Sequence, residues 1–250
     1  MKVLASDFDN TLYFKNIDNG FHDCDIEAIR RFQSHGHLFG MCSGRPIAGL
    51  IHSLNGIIQP DFYIASTGAI ILDKDYHLLY GQMIPFDIVQ NIYQTYQDEI
   101  ELLVQTLSMN QVYVTRLRDE DDSHTVLIHS IDDMRKCDIY SISFIESTVK
   151  RAAVIAQEIN QTYNDVVAYQ NMDSIDIVAK GCSKGMAIER LKSLYQLSKV
   201  AGIGDSYNDL PMIEVVDQSF TFKDASQIIQ NQCDYIVKTI AEAIEILEEE

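Results

Sequence analysis

Residues 2–6 form a short apolar run that stops at the carboxylate of Asp7, the pattern of a buried parallel strand whose carboxyl end opens on a site. Behind a polar loop, Ile26, Ile29 and Phe32 recur at helical spacing after acidic residues, and Gly36 follows as a stop, which predicts a helix over residues 24–35. Residues 37–42 read as a second strand. Pro46 opens a helix carrying Ile47, Leu50, Ile51 and Leu54, and residues 61–65 read as a third strand. Such β-α-β-α-β alternation predicts a parallel sheet with helices on both faces and ligands beyond the carboxyl ends of the strands.

From Ala69 the rhythm changes. Residues 70–72 and 77–80 flank the Asp73-Lys74-Asp75 turn as a hairpin, which does not continue a parallel sheet. A helix with Ile88, Val89, Ile92, Tyr93 and Tyr96 follows, then strand-like runs at 102–107 and 112–117 around Met109-Asn110. Residues 139–145 read as a strand, 148–163 as a helix, and 166–169 with 174–178 as a strand pair. Between 118 and 131 two readings stand, with the acidic residues 119–122 as a loop and 126–128 as either a strand or a helix turn. Alternation then resumes with a helix at 183–196, a strand at 200–203, a short helix after Asn208, a strand at 219–222, and two helical stretches around 235–237. The expected fold class is α/β. A doubly wound, Rossmann-like parallel-sheet core (residues 1–81 and 181–250) is interrupted by an α+β insertion (residues 82–180).

Composition narrows the function classes. At 250 residues, 46% apolar and 22% charged, the chain can bury a core of one large domain or two small ones, which excludes disorder and fibre. No run approaches the roughly 18 apolar residues of a membrane span, and Asp7 comes too early for a secretory signal, so a cytoplasmic setting is expected. The five cysteines are scattered without a Cys-x-x-Cys pair and read as small buried thiols. Nineteen basic against thirty-seven acidic residues give a formal charge of −18, which argues against nucleic acid and anionic membranes as partners. An anionic small molecule would bind only where a metal ion or local donors reverse the field. The acidic end, Glu248, Glu249 and Glu250, reads as a solvated helix terminus, and nothing in the sequence specifies an oligomeric state.

Four short motifs can carry chemistry. Asp7-Phe8-Asp9-Asn10-Thr11-Leu12 sets two carboxylates two residues apart. In a continuing strand they would share a face and need a cation between them. Gly202-Ile203-Gly204-Asp205-Ser206-Tyr207-Asn208-Asp209 repeats the theme at a second apolar strand, so Asp7, Asp9 and Asp205 are a plausible magnesium set. Asn208 and Asp209 also suit an Asx turn and helix cap. Ser43-Gly44-Arg45 can face an oxyanion with a hydroxyl and backbone amides, or be a plain turn. Lys184 starts a helix, where a cation opposes the dipole, so something negative is expected beside it.

In type, order and spacing these motifs resemble the haloacid dehalogenase-like hydrolases, in particular the Cof-type phosphatases with a large α/β cap, over essentially the whole chain. The resemblance implies a phosphoric monoester hydrolase acting on a small phosphorylated metabolite, with a sugar phosphate foremost and Mg²⁺ as cofactor. It implies that Asp7 attacks phosphorus to form an aspartyl-phosphate, and that Asp9 protonates the leaving alcohol and then deprotonates water. It implies a metal held by the Asp7 carboxylate, the Asp9 backbone carbonyl and Asp205. Ser43 and Lys184 would hold phosphate oxygens, Asn208 would help place the phosphoryl group, and Asp209 would act through Lys184 or the metal's waters. The insertion would be the cap that selects the leaving group. Arg45, Arg116, Arg118 and His124 could reach a polar substrate, but they read first as ordinary surface residues.

The chain departs from the family pattern at Asn10, where many members have Gly but Asn tolerates left-handed backbone, at Ser66-Thr67-Gly68, and at Phe222-Lys223-Asp224-Ala225. Other readings of the same residues are a phosphatase of a phosphorylated cofactor, a phosphomutase, and a sensor of phosphorylated ligands without turnover.

Overall fold

The structure, a computed structural model, describes residues 1–117, 124–145 and 148–249. In chain order the first group of elements is β1 (Val3–Ser6), α1 (Asp23–Ser34), β2 (Leu38–Cys42), α2 (Ile47–Leu54), β3 (Phe62–Ala65), β4 (Ile70–Asp73) and β5 (Leu78–Gly81). The second is α3 (Phe86–Tyr96), β6 (Glu101–Gln105), β7 (Val112–Val114), β8 (Thr125–Leu127), β9 (Ser141–Ile145), α4 (Val149–Thr162), β10 (Val166–Asn171) and β11 (Ser174–Ala179). The third is α5 (Lys184–Tyr195), β12 (Ala201–Ile203), α6 (Leu210–Ile213), β13 (Gln218–Phe222), α7 (Gln227–Gln230), β14 (Tyr235–Val237) and α8 (Ile240–Glu249). Short 3₁₀ turns at Ser66–Gly68, Ile131–Met134 and Tyr207–Asp209 complete the described residues.

The first and third groups build one sheet in the order β14-β13-β12-β1-β2-β3-β4-β5. Pairing is parallel from β14 to β3 and antiparallel from β3 through β5. The hairpin thus does continue the core sheet, as an antiparallel edge, because β4 folds straight back on β3 through the 3₁₀ turn. Alternation along the strands sorts the core into two layers. Val3 and Ala5 of β1 pack with Ile188 and Leu191 of α5, while Leu4 faces the layer that holds Ile29 and Phe32 of α1 and Ile244 of α8. Since β1 has β2 on one side and β12 on the other, chain order reverses there, and a crevice opens beyond their carboxyl ends.

The second group forms a separate sheet, β10-β11-β9-β6-β7-β8, antiparallel except for β7 with β8. Of residues 126–128, where the sequence admits strand or helix turn, the first two belong to strand β8, while Arg118 and the acidic residues 119–122 lie outside the described residues, as does Glu250. The thiols are free, but the cysteines are not uniformly buried. Cys42 and Cys182 are, whereas Cys24 is exposed on α1, on the polar side of an amphipathic helix. Glu248 is no bare helix end either, since it meets Arg31 at 3.3 Å and His35 at 2.7 Å, tying α8 to α1. Among the described residues no helix is long and apolar enough to cross a membrane.

Close backbone approach fixes where the site loops lie. A Cβ on Gly185 would run into the Pro211 carbonyl, so α5 can meet α6 only with glycine there. Gly185→Ala should lower stability by about 1–3 kcal/mol in denaturant unfolding, an overpacking cost. Gly49→Ala in α2, whose new Cβ would meet only Pro46 at 3.7 Å, should be neutral or up to about 1 kcal/mol stabilising. Equal effects from the two would refute this account of α5 docking.

Candidate active site

Adjacent parallel strands bring the two acidic motifs together. Asp7 follows β1 and Asp205 follows β12, and their carboxylate oxygens lie with one of Asp209 within 4.8 Å of each other. Lys184, fully buried at the start of α5, donates to Asp7 Oδ1 at 2.6 Å and Asp209 Oδ1 at 2.5 Å. Ser183 caps the helix by accepting from Met186 N at 3.0 Å. A buried ammonium needs such partners. Burial alone would lower the Lys184 ammonium, but Asp209 and Asp7 outweigh it and hold it above the usual lysine range.

The charges do not balance. Three carboxylates and one ammonium sum to a formal −2. Burial first, then the charge of Asp209, pushes Asp7 up to about 8 against the opposing pull of Lys184. The same two causes push Asp205 up to about 6. Both oxygens of Asp209 are already engaged by protein donors. Its Oδ1 is on Lys184, and its Oδ2 accepts from Asp205 N at 3.1 Å and Ser206 N at 3.0 Å. Gly204 makes room for that carboxylate, since a Cβ there would lie 2.5 Å from Asp209 Cγ. The cap role and the lysine-holding role of Asp209 are therefore one arrangement. The Asp7 carboxylate and Asp205, which also accepts from Thr11 Oγ1 at 3.2 Å, remain as hard oxygen donors suited to a divalent cation such as Mg²⁺.

Asp9 sits otherwise than the sequence suggests. β1 ends at Ser6, and the chain turns at Phe8, whose carbonyl accepts from Leu12 N and Tyr13 N at 3.0 and 2.8 Å. Asn10 takes φ 57°, the left-handed conformation that its side chain tolerates. This turn separates the two carboxylates, so Asp9's side chain lies outside the acidic cluster. It is gripped by Arg45, Nε to Oδ2 at 2.8 Å and Nη2 to Oδ1 at 2.6 Å. The guanidinium also lies 4.6 Å from the Phe8 ring centroid. Reading Arg45 as an ordinary surface residue is thus corrected. Its place directly after Ser43-Gly44 at a strand end was the available signal. Arg116 does pair at the surface with Glu101 at 3.0 Å, and the His124 ring meets that of His52 at a tilt, with centroids 4.6 Å apart.

Ser43 and Asn208 are buried at the same mouth. Ser43 follows β2, donates its N–H to Ile64 O at 2.9 Å and accepts from Arg45 N at 3.2 Å through Oγ. Ser206 Oγ donates to Asn208 Oδ1 at 2.6 Å. Facing Ser43, the turn Ser66-Thr67-Gly68 runs at positive φ throughout, 52°, 53° and 88°. For a β-branched Thr this is a strained conformation. Its N–H groups tie the Ser43 loop down, Thr67 N to Ser43 O at 3.1 Å and Ser66 N to Arg45 O at 3.0 Å. A further acidic group, Asp73, Asp75 and His77, is an exposed turn in which Asp73 accepts from both Asp75 N and His77 N at 2.9 Å.

A doubly wound core with acids at two neighbouring strand ends, a buried lysine and a second sheet inserted above them defines a capped, Rossmann-like α/β protein. The family model described as haloacid dehalogenase-like hydrolase matches residues 4–244, and the chain belongs to that family, in its Cof-type branch. An uncharacterized protein of Mycoplasma capricolum is 28% identical, with 96% of this chain and 98% of that protein covered. The 5-amino-6-(5-phospho-D-ribitylamino)uracil phosphatase YcsE of Bacillus subtilis is 22% identical over 96% and 90%. The solved HAD subclass IIB sugar phosphatase BT4131 superimposes with a TM-score of 0.81 at 17% identity, covering 100% of this chain and 98% of that one. Membership with these relatives makes the chain a phosphatase of the family.

The unbalanced cluster has a pH signature. A carboxyl raised from 3.8 to about 6 in the fold keeps its proton longer than in the unfolded chain, so its contribution falls as pH rises from about 4 to 6. In chelator, the melting temperature of Asp205→Asn should therefore gain on wild type across that window. Millimolar Mg²⁺ should shrink or reverse the gain. A difference flat in pH and blind to Mg²⁺ would sink the account.

Proposed function

We propose that this phosphatase is Mg²⁺-dependent and hydrolyses a small phosphorylated metabolite, a sugar phosphate, through an aspartyl-phosphate on Asp7. The observation that carries the reading is the state of Asp7. Lys184 fixes Oδ1 at 2.6 Å, and among the described residues no donor is bonded to Oδ2, which leaves one oriented oxygen at the crevice. Mg²⁺ held by Asp7, Asp205 and the Asp9 carbonyl would neutralise the −2 excess and shield the nucleophile from the phosphate. Lys184 and Ser43 hold nonbridging oxygens, Asn208 helps place the phosphoryl group, and Asp209 keeps Lys184 in position. As the Asp7 oxygen bonds to phosphorus, the leaving alkoxide takes a proton from Asp9. Asp9 then accepts a proton from the water that attacks the aspartyl-phosphate, so the carboxyl group returns to its starting state.

For that exchange Asp9 must part from Arg45, and the insertion, residues 82–180, closes as a cap over residues 1–81 and 181–250 to exclude water. Support for the substrate class comes from the relatives. One is named for a phosphorylated ribityl compound and another as a sugar phosphatase. Asp7→Asn keeps the shape but not the nucleophile. With p-nitrophenyl phosphate and Mg²⁺ it should lose at least about a thousandfold in kcat, and wild type should lose activity in chelator. Equal rates for the two proteins would overturn the nucleophile assignment.

A further inference from the structure

The inserted sheet has one apolar face and one that mixes polar with apolar side chains. Leu102, Val104, Ile142, Phe144, Ile175 and Ile177 alternate into the hydrophobic core on neighbouring strands β6, β9 and β11. The adjacent residues Gln105, Ser143 and Asp176 share the opposite face. In an antiparallel sheet that face normally meets water, yet all three are buried. They lie against the loops of the active site. Gln105 Nε2 is 3.3 Å from Gly44 O, and a Cβ on Gly44 would come within 2.6 Å of Asp176 Oδ2.

Within the row the donors are used up. Gln105 Nε2 donates to Ser143 Oγ at 2.9 Å, and Ser143, directly opposite Asp176 in the register, donates to Asp176 Oδ1 at 2.7 Å. Two acceptors are left over. Asp176 Oδ2 receives only a long contact from Thr67 Oγ1 at 3.4 Å, and the buried Gln105 Oε1 has no partner. Among the described residues no cation is bonded to Asp176, and burial pushes its carboxyl above the usual range, partly offset by Ser143 and Lys184. Buried acceptors that lack donors are costly, and a ligand that brings donors removes the cost.

We propose that Gln105, Ser143 and Asp176 are the leaving-group subsite, selecting an uncharged alcohol rich in hydroxyl groups. This rests on the phosphatase reading above. Asp176 Oδ2 and Gln105 Oε1 accept from hydroxyls of the leaving group, while Ser143 is a positioning residue that aims Asp176. The carboxylate also rejects leaving groups bearing a second anion.

The test compares kcat/KM of the Mg²⁺-loaded enzyme on ribose 5-phosphate, phosphoglycolate and p-nitrophenyl phosphate, for wild type, Asp176→Asn, Ser143→Ala and Gln105→Leu. Wild type should prefer ribose 5-phosphate to phosphoglycolate. In Asp176→Asn the ratio of ribose 5-phosphate to p-nitrophenyl phosphate should fall about tenfold or more, chiefly through KM. The other two variants should move it the same way. A ratio that stays constant while both substrates decline together would show that the row only fastens the cap, and would overturn the subsite, as would a preference for phosphoglycolate. Failure of wild type on all three compounds would instead remove the phosphatase reading and the subsite with it.

Discussion

A buried ammonium among three carboxylates is the constraint around which the site is organised. Lys184 holds Asp7 and Asp209 at 2.6 and 2.5 Å with no access to water, and it offsets only one of three negative charges. Removing one partner of such a group strands the others, which typically costs about 3–5 kcal/mol. The backbone is shaped to serve it. Gly185 lets α5 approach Pro211, Gly68 passes beneath Ser183, and Gly204 leaves space for the Asp209 carboxylate. The surplus negative charge would suit a divalent cation and distinguishes this cluster from a charge-balanced salt bridge.

The inserted sheet extends the same logic. Its mixed face is held off water by the strained Ser66–Gly68 turn and the Ser43 loop, so cap and core share one layer of buried polar groups. Thr67 joins both sides. Its N–H fixes Ser43 and its hydroxyl reaches Asp176. Strain at a non-glycine residue persists where surrounding bonds over-determine it. Here those bonds connect the loop that would hold phosphate to the sheet that would choose the alcohol.

The alternation of strands and helices was legible because buried parallel strands and amphipathic helices leave different periods in the sequence, and Asp7, Lys184 and Asp205 were legible because each follows a strand or opens a helix at the crevice. The β4–β5 hairpin was read correctly as a hairpin but not as part of the core sheet, since local pattern does not encode which edge a strand joins. Asp9 and Arg45 were hidden for a related reason. Period-two reasoning places Asp7 and Asp9 on one face, but the turn at Phe8 and the left-handed Asn10 break the strand between them. Arg45 then reaches Asp9 across 36 residues of sequence. Asp176 is one polar residue in an otherwise apolar run, and only its register with Ser143 shows what it belongs to.

The overall charge of −18 would seem to oppose an anionic substrate. At physiological ionic strength, however, exposed charges are screened beyond about 8 Å, whereas charges in a dry crevice are not. On the proposed reading, what a phosphate would meet on arrival is set by a few groups, namely Lys184, Ser43 and a cation held by Asp7 and Asp205. Most of the acids behind the net charge lie elsewhere on the chain, whereas the excess charge of Asp7, Asp205 and Asp209 is local to the crevice and would suit a divalent cation. Net charge and local charge are separate quantities here, and the local one decides which ligand the crevice accepts.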